Sequence, residues 1–253
     1  MASLGFERML DAHLRMQAGC YVSGVDEGED GARYLWSDGI AEPGFNLAVG
    51  SHDIAWVRVM AARRERLPAI LARDPGEADR HAGRPDLAGV FHTRWMARSC
   101  AATEAAPASL DIGTDPAPGS AFLSVCGDLF ADPAINAVAQ AVFVPTLRGA
   151  RAVEGVAARH LTLSEADEPV ACASVYVAGD LAGLYNVGTR ASRQGRGWGT
   201  AVTRAAIAAA AEAGARTIVL QCVAGGTVER LYAGMGFAVV AEPVILVFSP
   251  APS

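Results

Sequence analysis

Lysine is missing from this chain: 21 of its 253 residues are basic, and every one is arginine. Without an ε-amine there is no phosphate loop ending in Gly-Lys, no Schiff-base lysine for pyridoxal phosphate and no lysine base or nucleophile. Acetylation of its own lysine side chains is excluded as well. We read the absence as a coding bias toward arginine. Cysteine is scarce and scattered, at Cys20, Cys100, Cys126, Cys172 and Cys222, with no C-x-x-C pair and no histidine at ligand spacing. The expectation is five reduced, mostly buried thiols and no metal site. No apolar run approaches the ~20 residues of a membrane span. Glu7, Arg8, Asp11 and Arg15 interrupt the stretch where a signal peptide needs apolar residues. A cytoplasmic protein that engages no membrane is expected. The net charge of −6 and the lack of any basic stripe argue against nucleic acid as a partner.

What is present is a globular composition, 51% hydrophobic and 19% charged, long enough for two modest domains. A connector runs from Ser99 to Ser120, where small residues and Pro107, Pro116 and Pro118 break any periodicity. It predicts a boundary near Ser109, hence domains 1–108 and 109–253. Residues 1–115 hold 12 arginines against 17 acids and the remainder 9 against 10, so an anion is better received in the second half. There, Pro118 to Val144 suggests two short helices broken at Asp132-Pro133. Glu154 to Leu163 and Pro169 to Ala178 read as a hairpin, and Leu181 to Gly188 as a short buried strand. Nine alanines between 201 and 215, with Gly214 as a C-terminal stop, predict a helix thin enough to lie close against a sheet. Thr217 to Val223 reads as a central strand. Val228, Leu231, Tyr232 and Met235 fall on one face of a helix that Thr227 can cap, and Phe237 to Phe248 supplies closing strand material around Pro243.

One segment carries chemistry: Gln194-Gly195-Arg196-Gly197-Trp198-Gly199, between a buried strand and a helix. Glycines let successive backbone N–H groups converge, and the positive end of the helix dipole adds to them, so this is an anion site. Arg190, Arg193 and Arg196 add guanidinium groups suited to phosphate. By composition alone such a hexapeptide arises by chance about 0.3 times in a chain like this, so its placement matters more than its letters. No acid ends the following strand, which separates it from a dinucleotide site.

Three segments in order, Tyr185-Asn186-Val187-Gly188-Thr189, Arg193 to Thr200 and Leu231-Tyr232-Ala233-Gly234-Met235-Gly236-Phe237, resemble the GNAT superfamily of acyl-CoA-dependent N-acyltransferases. The resemblance spans about residues 109–253. It implies an α/β fold with a mixed sheet, acetyl-CoA as cosubstrate and no metal. Val187, Gly188 and Thr189 would hold the pantetheine. Arg193, Gln194, Gly195, Arg196, Gly197, Trp198, Gly199 and Thr200 would hold the pyrophosphate. The Val187 N–H would be the oxyanion donor and Tyr232 the acid at the leaving sulfur. The family's cofactor-binding Asn before the last helix is replaced by Val223-Ala224-Gly225-Gly226.

Phe45 to Gly50 resembles Leu184 to Gly188, and the pattern after it, a helix over 51–65, a strand over 67–72 and a helix ending at Ala88-Gly89-Val90-Phe91, repeats that of the second half. This predicts a tandem arrangement whose first half, 1–108, lacks the phosphate loop; the alternative is an unrelated α/β domain. Expected activity is transfer of an acetyl group from acetyl-CoA to a primary amine of a small molecule, by a monomer or homodimer. A non-catalytic acyl-CoA sensor is the alternative. For the base, Glu154, His160, or a water held by Asn186 or Tyr185 are the candidates. The acidic run 26–31 reads as a solvated hairpin turn.

Overall fold

The computed structural model describes residues 4–100 and 111–250, so the boundary expected near Ser109 lies outside the described residues. In chain order the strands are β1 (Gly24–Glu27), β2 (Arg33–Trp36), β3 (Leu47–Val49), β4 (Ala69–Ala72), β5 (Leu87–Ser99), β6 (Asp111–Asp115), β7 (Ala157–Glu165), β8 (Glu168–Ala178), β9 (Leu181–Thr189), β10 (Thr217–Val223), β11 (Ala238–Ala241) and β12 (Val244–Phe248). The helices are α1 (Phe6–Gln17), α2 (Ile54–Ala62), α3 (Pro75–Ala78), α4 (Ser120–Cys126), α5 (Pro133–Val138), α6 (Val144–Gly149), α7 (Trp198–Glu212) and α8 (Thr227–Gly234). None of the described helices is long and apolar enough to cross a membrane.

The described residues divide into two compact units, one of 4–9, 21–96 and 221–250, the other of 10–20, 97–100 and 111–220. The division is therefore not a single cut of the chain at 108. In the first unit the sheet order is β1-β2-β3-β4-β12-β5, with β11 against β5. β12 lies between β4 and β5 and is antiparallel to both, Val244 opposing Ala72 on one side and His92 on the other. Its sequence, VILVF, is apolar throughout, which suits a strand paired on both edges and covered on both faces. Tyr34, Ile54, Val57, Met60, Ile70, Leu246 and Phe248 form the core beside it. Of the acidic run 26–31, Asp26 and Glu27 lie in β1, paired with Tyr34 and Arg33, and the rest forms the turn into β2.

Two expectations for the first half are corrected. Ala88 to Phe91 does not end a helix but lies within β5; after Pro75 only one turn of α-helix forms, and the Leu87–Ser99 segment extends past Pro85. The helix after β3 begins at Ile54, where Asp53 Oδ1 accepts from the Ala55 N–H at 2.9 Å and the Trp56 N–H at 3.2 Å. A carboxylate of the chain thus takes the donors that an anion would use.

The second unit has sheet order β10-β9-β8-β7-β6, antiparallel except for the β9–β10 pair. The β7–β8 turn places Ala166 and Asp167 at φ 50° and 67°, the left-handed pair that tight hairpins require. Val202, Ala205, Ala206 and Ala209 of α7 are buried against β7, β8 and β9, and the helix stops before Gly214 at φ 90°. The two short helices expected over 118–144 are α4 and a longer run in which α5 passes through a π-helical turn (Ala139–Phe143) into α6. Pro145 lacks the N–H that a regular turn would need there, and the widened turn absorbs the defect.

Candidate active site

β9 and β10 pair in parallel at Leu181–Thr217, Ala182–Ile218 and Gly183–Val219, and the pairing goes no further. From Leu184 onward β9 is laddered on its β8 side alone, so its other edge is opened. On the β8 side Ser174 faces Tyr185 and Cys172 faces Gly188, two steps on one strand against three on the other. That extra residue makes a bulge, and Asn186 sits in it at φ 53°, a left-handed conformation that asparagine tolerates better than most residues. The Cys172 thiol donates to the Asn186 carbonyl oxygen at 3.3 Å. A trans peptide is planar, so the Val187 N–H of the same unit is directed away from Cys172. Hydrogen bonding with Cys126, at 3.6 Å, and burial hold the Cys172 thiol above its ordinary pKa, so it remains a donor.

At the end of β9 the chain turns through Ala191–Arg193 and then the glycine loop. Gly195 and Gly197 have φ 76° and 85°, and a Cβ at either would meet nothing but would strain the backbone. Gly197 caps α7 with no side-chain hydrogen bond, so the first N–H groups of a 15-residue helix have no side-chain acceptor; Ala201 N–H is the first to reach a carbonyl, that of Gly197. The Trp198 indole N–H is buried without a hydrogen-bond partner. Gln194 Nε2 donates to the carbonyls of Leu129 (2.8 Å) and Thr189 (3.3 Å), stitching the loop down. Gly188 is tight against Leu129, whose Cδ2 would lie 2.4 Å from an added Cβ.

The arginines divide their tasks differently from the sequence reading. Arg193 is paired with Glu165, at 3.0 Å, and with Glu168. Arg190 is held by Asp128 Oδ2 (2.8 Å), Ser124 Oγ (2.8 Å) and the Pro169 carbonyl (2.6 Å). Both shape the loop from within because acids of the hairpin and of the α4 exit reach them first. Arg196 alone of the three is exposed with no ion pair among the described residues. A cavity of about 570 Å³ on the Arg190 side, lined also by Gln140 and Arg148, has its polar wall closed on itself through Arg190–Asp128 and Gln140 to the Gly127 carbonyl.

The face of β7–β9 toward α4 carries polar groups that sequence reading found only in part. His13 of α1 lies 2.9 Å from the Tyr185 hydroxyl, and His160 Nδ1 lies 2.9 Å from Ser174 Oγ. Asn186 Nδ2 donates to the same Ser174 oxygen at 3.0 Å. Burial depresses His13 and His160 to about 4, in the latter against a small opposing effect of Asp115, so both imidazoles are neutral at pH 7. Burial also raises Tyr185 and Tyr176 above the usual tyrosine range. Glu154 is exposed and precedes β7. His13 and Ser174 were not anticipated: one belongs to a remote helix, and the other is an ordinary serine in an apolar strand.

Val187 to Thr200 is thus one continuous feature of the second unit. Tyr232 belongs to the first unit, on α8, 6% exposed and edge-on to Phe237, with burial and then Cys222 pushing its hydroxyl up to about 12. α8 is capped by Gly226 rather than by the Thr227 hydroxyl. Among the described residues no group of three or more His, Cys, Asp or Glu is placed to hold a metal.

Residues 139–237 match the acetyltransferase (GNAT) family model. No curated protein matches the chain. Among solved structures, it is similar to a GCN5-related N-acetyltransferase from Kribbella flavida, at 18% identity over 97% of this chain and 96% of that one with a TM-score of 0.63. A tandem GNAT protein from the clavulanic acid biosynthesis pathway is similar at 16% identity over 89% and 82% of the two chains, with a TM-score of 0.58. A GCN5-related N-acetyltransferase from Sphaerobacter thermophilus gives 16% identity, 96% and 86% coverage and a TM-score of 0.57.

Proposed function

We propose that the protein, whose residues 139–237 match the acetyltransferase (GNAT) family model, transfers an acetyl group from acetyl-CoA to a primary amine of a small molecule. The observation that carries this reading is the opened edge of β9, where pairing with β10 ends at Gly183 and the bulge at Asn186 turns the Val187 N–H away from Cys172. An uncovered strand edge suits an extended pantetheine, and the glycine loop beyond it suits a pyrophosphate. The amides at the head of α7, uncapped by any side chain, and the exposed Arg196 fit an anion there. Acetyl-CoA supplies the activated thioester carbonyl.

In this reading the loop binds and orients, and Val187 N–H donates to the carbonyl oxygen as negative charge grows on it. The amine nitrogen forms the new C–N bond, the C–S bond breaks, and the ammonium proton leaves to water. Tyr232 is assigned to the leaving sulfur on the resemblance of its helix end. With its hydroxyl near 12 against a thiol of ~8.5, it stabilises the thiolate as a hydrogen-bond donor more than it protonates it. Tyr232→Phe is therefore expected to lower kcat about tenfold, the worth of one charge-assisted hydrogen bond, while leaving acetyl-CoA affinity within twofold. Equal kcat in the two proteins removes Tyr232 from the reaction.

His13 and His160, at about 4, are already neutral above pH 6 and are weak bases toward an ammonium of ~10. The amine must arrive deprotonated, so kcat/KM for the amine is expected to rise about tenfold per pH unit from 6 to 9 with no inflection near 6.5. An inflection there would identify a base of ordinary histidine pKa and contradict this assignment.

Thiol release from acetyl-CoA across a panel of small amines tests the activity itself. A protein that binds acetyl-CoA in calorimetry and acetylates none of them is the acyl-CoA sensor, a reading favoured by the lack of a tuned base. A folded protein that does not bind acetyl-CoA removes both.

A further inference from the structure

We propose that His160 and Ser174 are positioning residues for the Val187 amide, acting through Asn186. The inference rests on Val187 as oxyanion donor, but its geometry stands apart from turnover. Ser174 is fully buried and His160 is 2% exposed, the latter edge-on to Phe122 and Tyr176. Polar groups in such a place raise the free energy of the fold unless hydrogen-bonded, and apolar side chains would pack there more simply. Their hydrogen bonds form one chain, joining the three side chains through the Ser174 hydroxyl. Asn186 Nδ2 has only protons to offer, so it donates to Ser174 Oγ at 3.0 Å. The same serine oxygen is hydrogen-bonded to His160 Nδ1 at 2.9 Å, so Ser174 links the imidazole to Asn186.

The chain ends on the residue whose backbone needs holding. Asn186 is at φ 53° in a bulge where β10 gives no support, a conformation that persists only where its surroundings impose it. Ser174 holds its side chain and Cys172 holds its carbonyl oxygen, at 3.3 Å. With one end of the planar peptide fixed, the other end, Val187 N–H, is fixed too. An oxyanion donor acts through such preorganisation, so slack in this peptide costs rate without costing ground-state affinity.

The test is Ser174→Ala, read in two ways. In solution NMR the Val187 amide order parameter is expected to fall from about 0.85 to below about 0.6, while Val175 and Val177 on β8 keep theirs. In kinetics kcat is expected to fall about tenfold with KM for acetyl-CoA within twofold. His160→Leu should move both readouts the same way. His160→Asn, which returns an acceptor oxygen near the Nδ1 position, should restore the order parameter and bring kcat within threefold of wild type; it also serves if Ser174→Ala folds poorly. An unchanged Val187 order parameter in folded Ser174→Ala and His160→Leu overturns the positioning role, whatever the activity. A lowered order parameter in a protein that acetylates no amine supports the positioning chain and sinks the acetyltransfer reading instead.

Discussion

Gly199→Glu is expected to weaken acetyl-CoA binding about a hundredfold. Gly199 is in the first turn of α7, among the N–H groups left without side-chain acceptors. A carboxylate there competes for those donors and repels a pyrophosphate: two charges ~4 Å apart at an effective dielectric of 20 interact by ~4 kcal/mol, and salt reduces this toward ~2.7 kcal/mol, or a hundredfold. The same carboxylate favours the helix dipole, so the free protein should melt no lower than wild type, which separates lost binding from lost folding. Gly199→Ala is the control. Its Cβ would meet Thr189 Oγ1 at 3.5 Å, an ordinary contact, and its affinity should stay within about threefold. Calorimetric titration of the three proteins with acetyl-CoA decides the matter. Equal affinity for Glu and wild type would place the phosphates elsewhere. Asp53 at the head of α2 is the natural version of this experiment, a helix start already occupied by the chain's own carboxylate.

Gly183→Ala is expected to destabilise the protein by ~2 kcal/mol, the usual cost of overpacking a filled site. An added Cβ would lie 2.4 Å from Tyr185 Cε2 and 2.6 Å from its hydroxyl. That ring cannot swing clear easily, since its hydroxyl meets His13 at 2.9 Å and its face meets Tyr176 at 5.8 Å between centroids. Gly183 is also the last β9 residue paired with β10, so strain here falls where the strands part. Denaturant unfolding should show the loss in wild type and most of it relieved in a Tyr185→Ala background, a coupling of more than ~1 kcal/mol. Additive losses would show that Tyr185 is not what makes glycine necessary.

Much of the second unit was legible because local rules and the fold agree there. β-Branched and bulky residues in Glu154–Leu163 and Pro169–Ala178 marked β7 and β8, alanine content and Gly214 marked α7, and the glycine loop lay between strand and helix as its letters implied. Reading failed where partners are distant in sequence. Ala88 to Phe91 has the letters of a helix end and is strand, because β5 is ordered by pairing with β12, some 150 residues away. Arg190 and Arg193 have the charge for phosphate, yet acids brought near by the hairpin and the α4 exit claim them.

By itself the sequence determined which chemistry is closed to this protein and which feature remains: with no lysine, an anion must be held by backbone amides and arginine, and one loop has the glycines to do it. Those are short-range properties, set by residue type and by φ, and they survive in any context that forms the strand and the helix. The tertiary structure decided that Arg190 and Arg193 are claimed by acids while Arg196 is exposed, and that His13 and His160 are neutral at pH 7. It also decided that the strand bulges at Asn186, with Ser174 hydrogen-bonded to its side chain and Cys172 to its carbonyl oxygen. Charge pairing, desolvation and the orientation of a peptide plane all depend on which groups meet across the sheet, and spacing along the chain does not encode them.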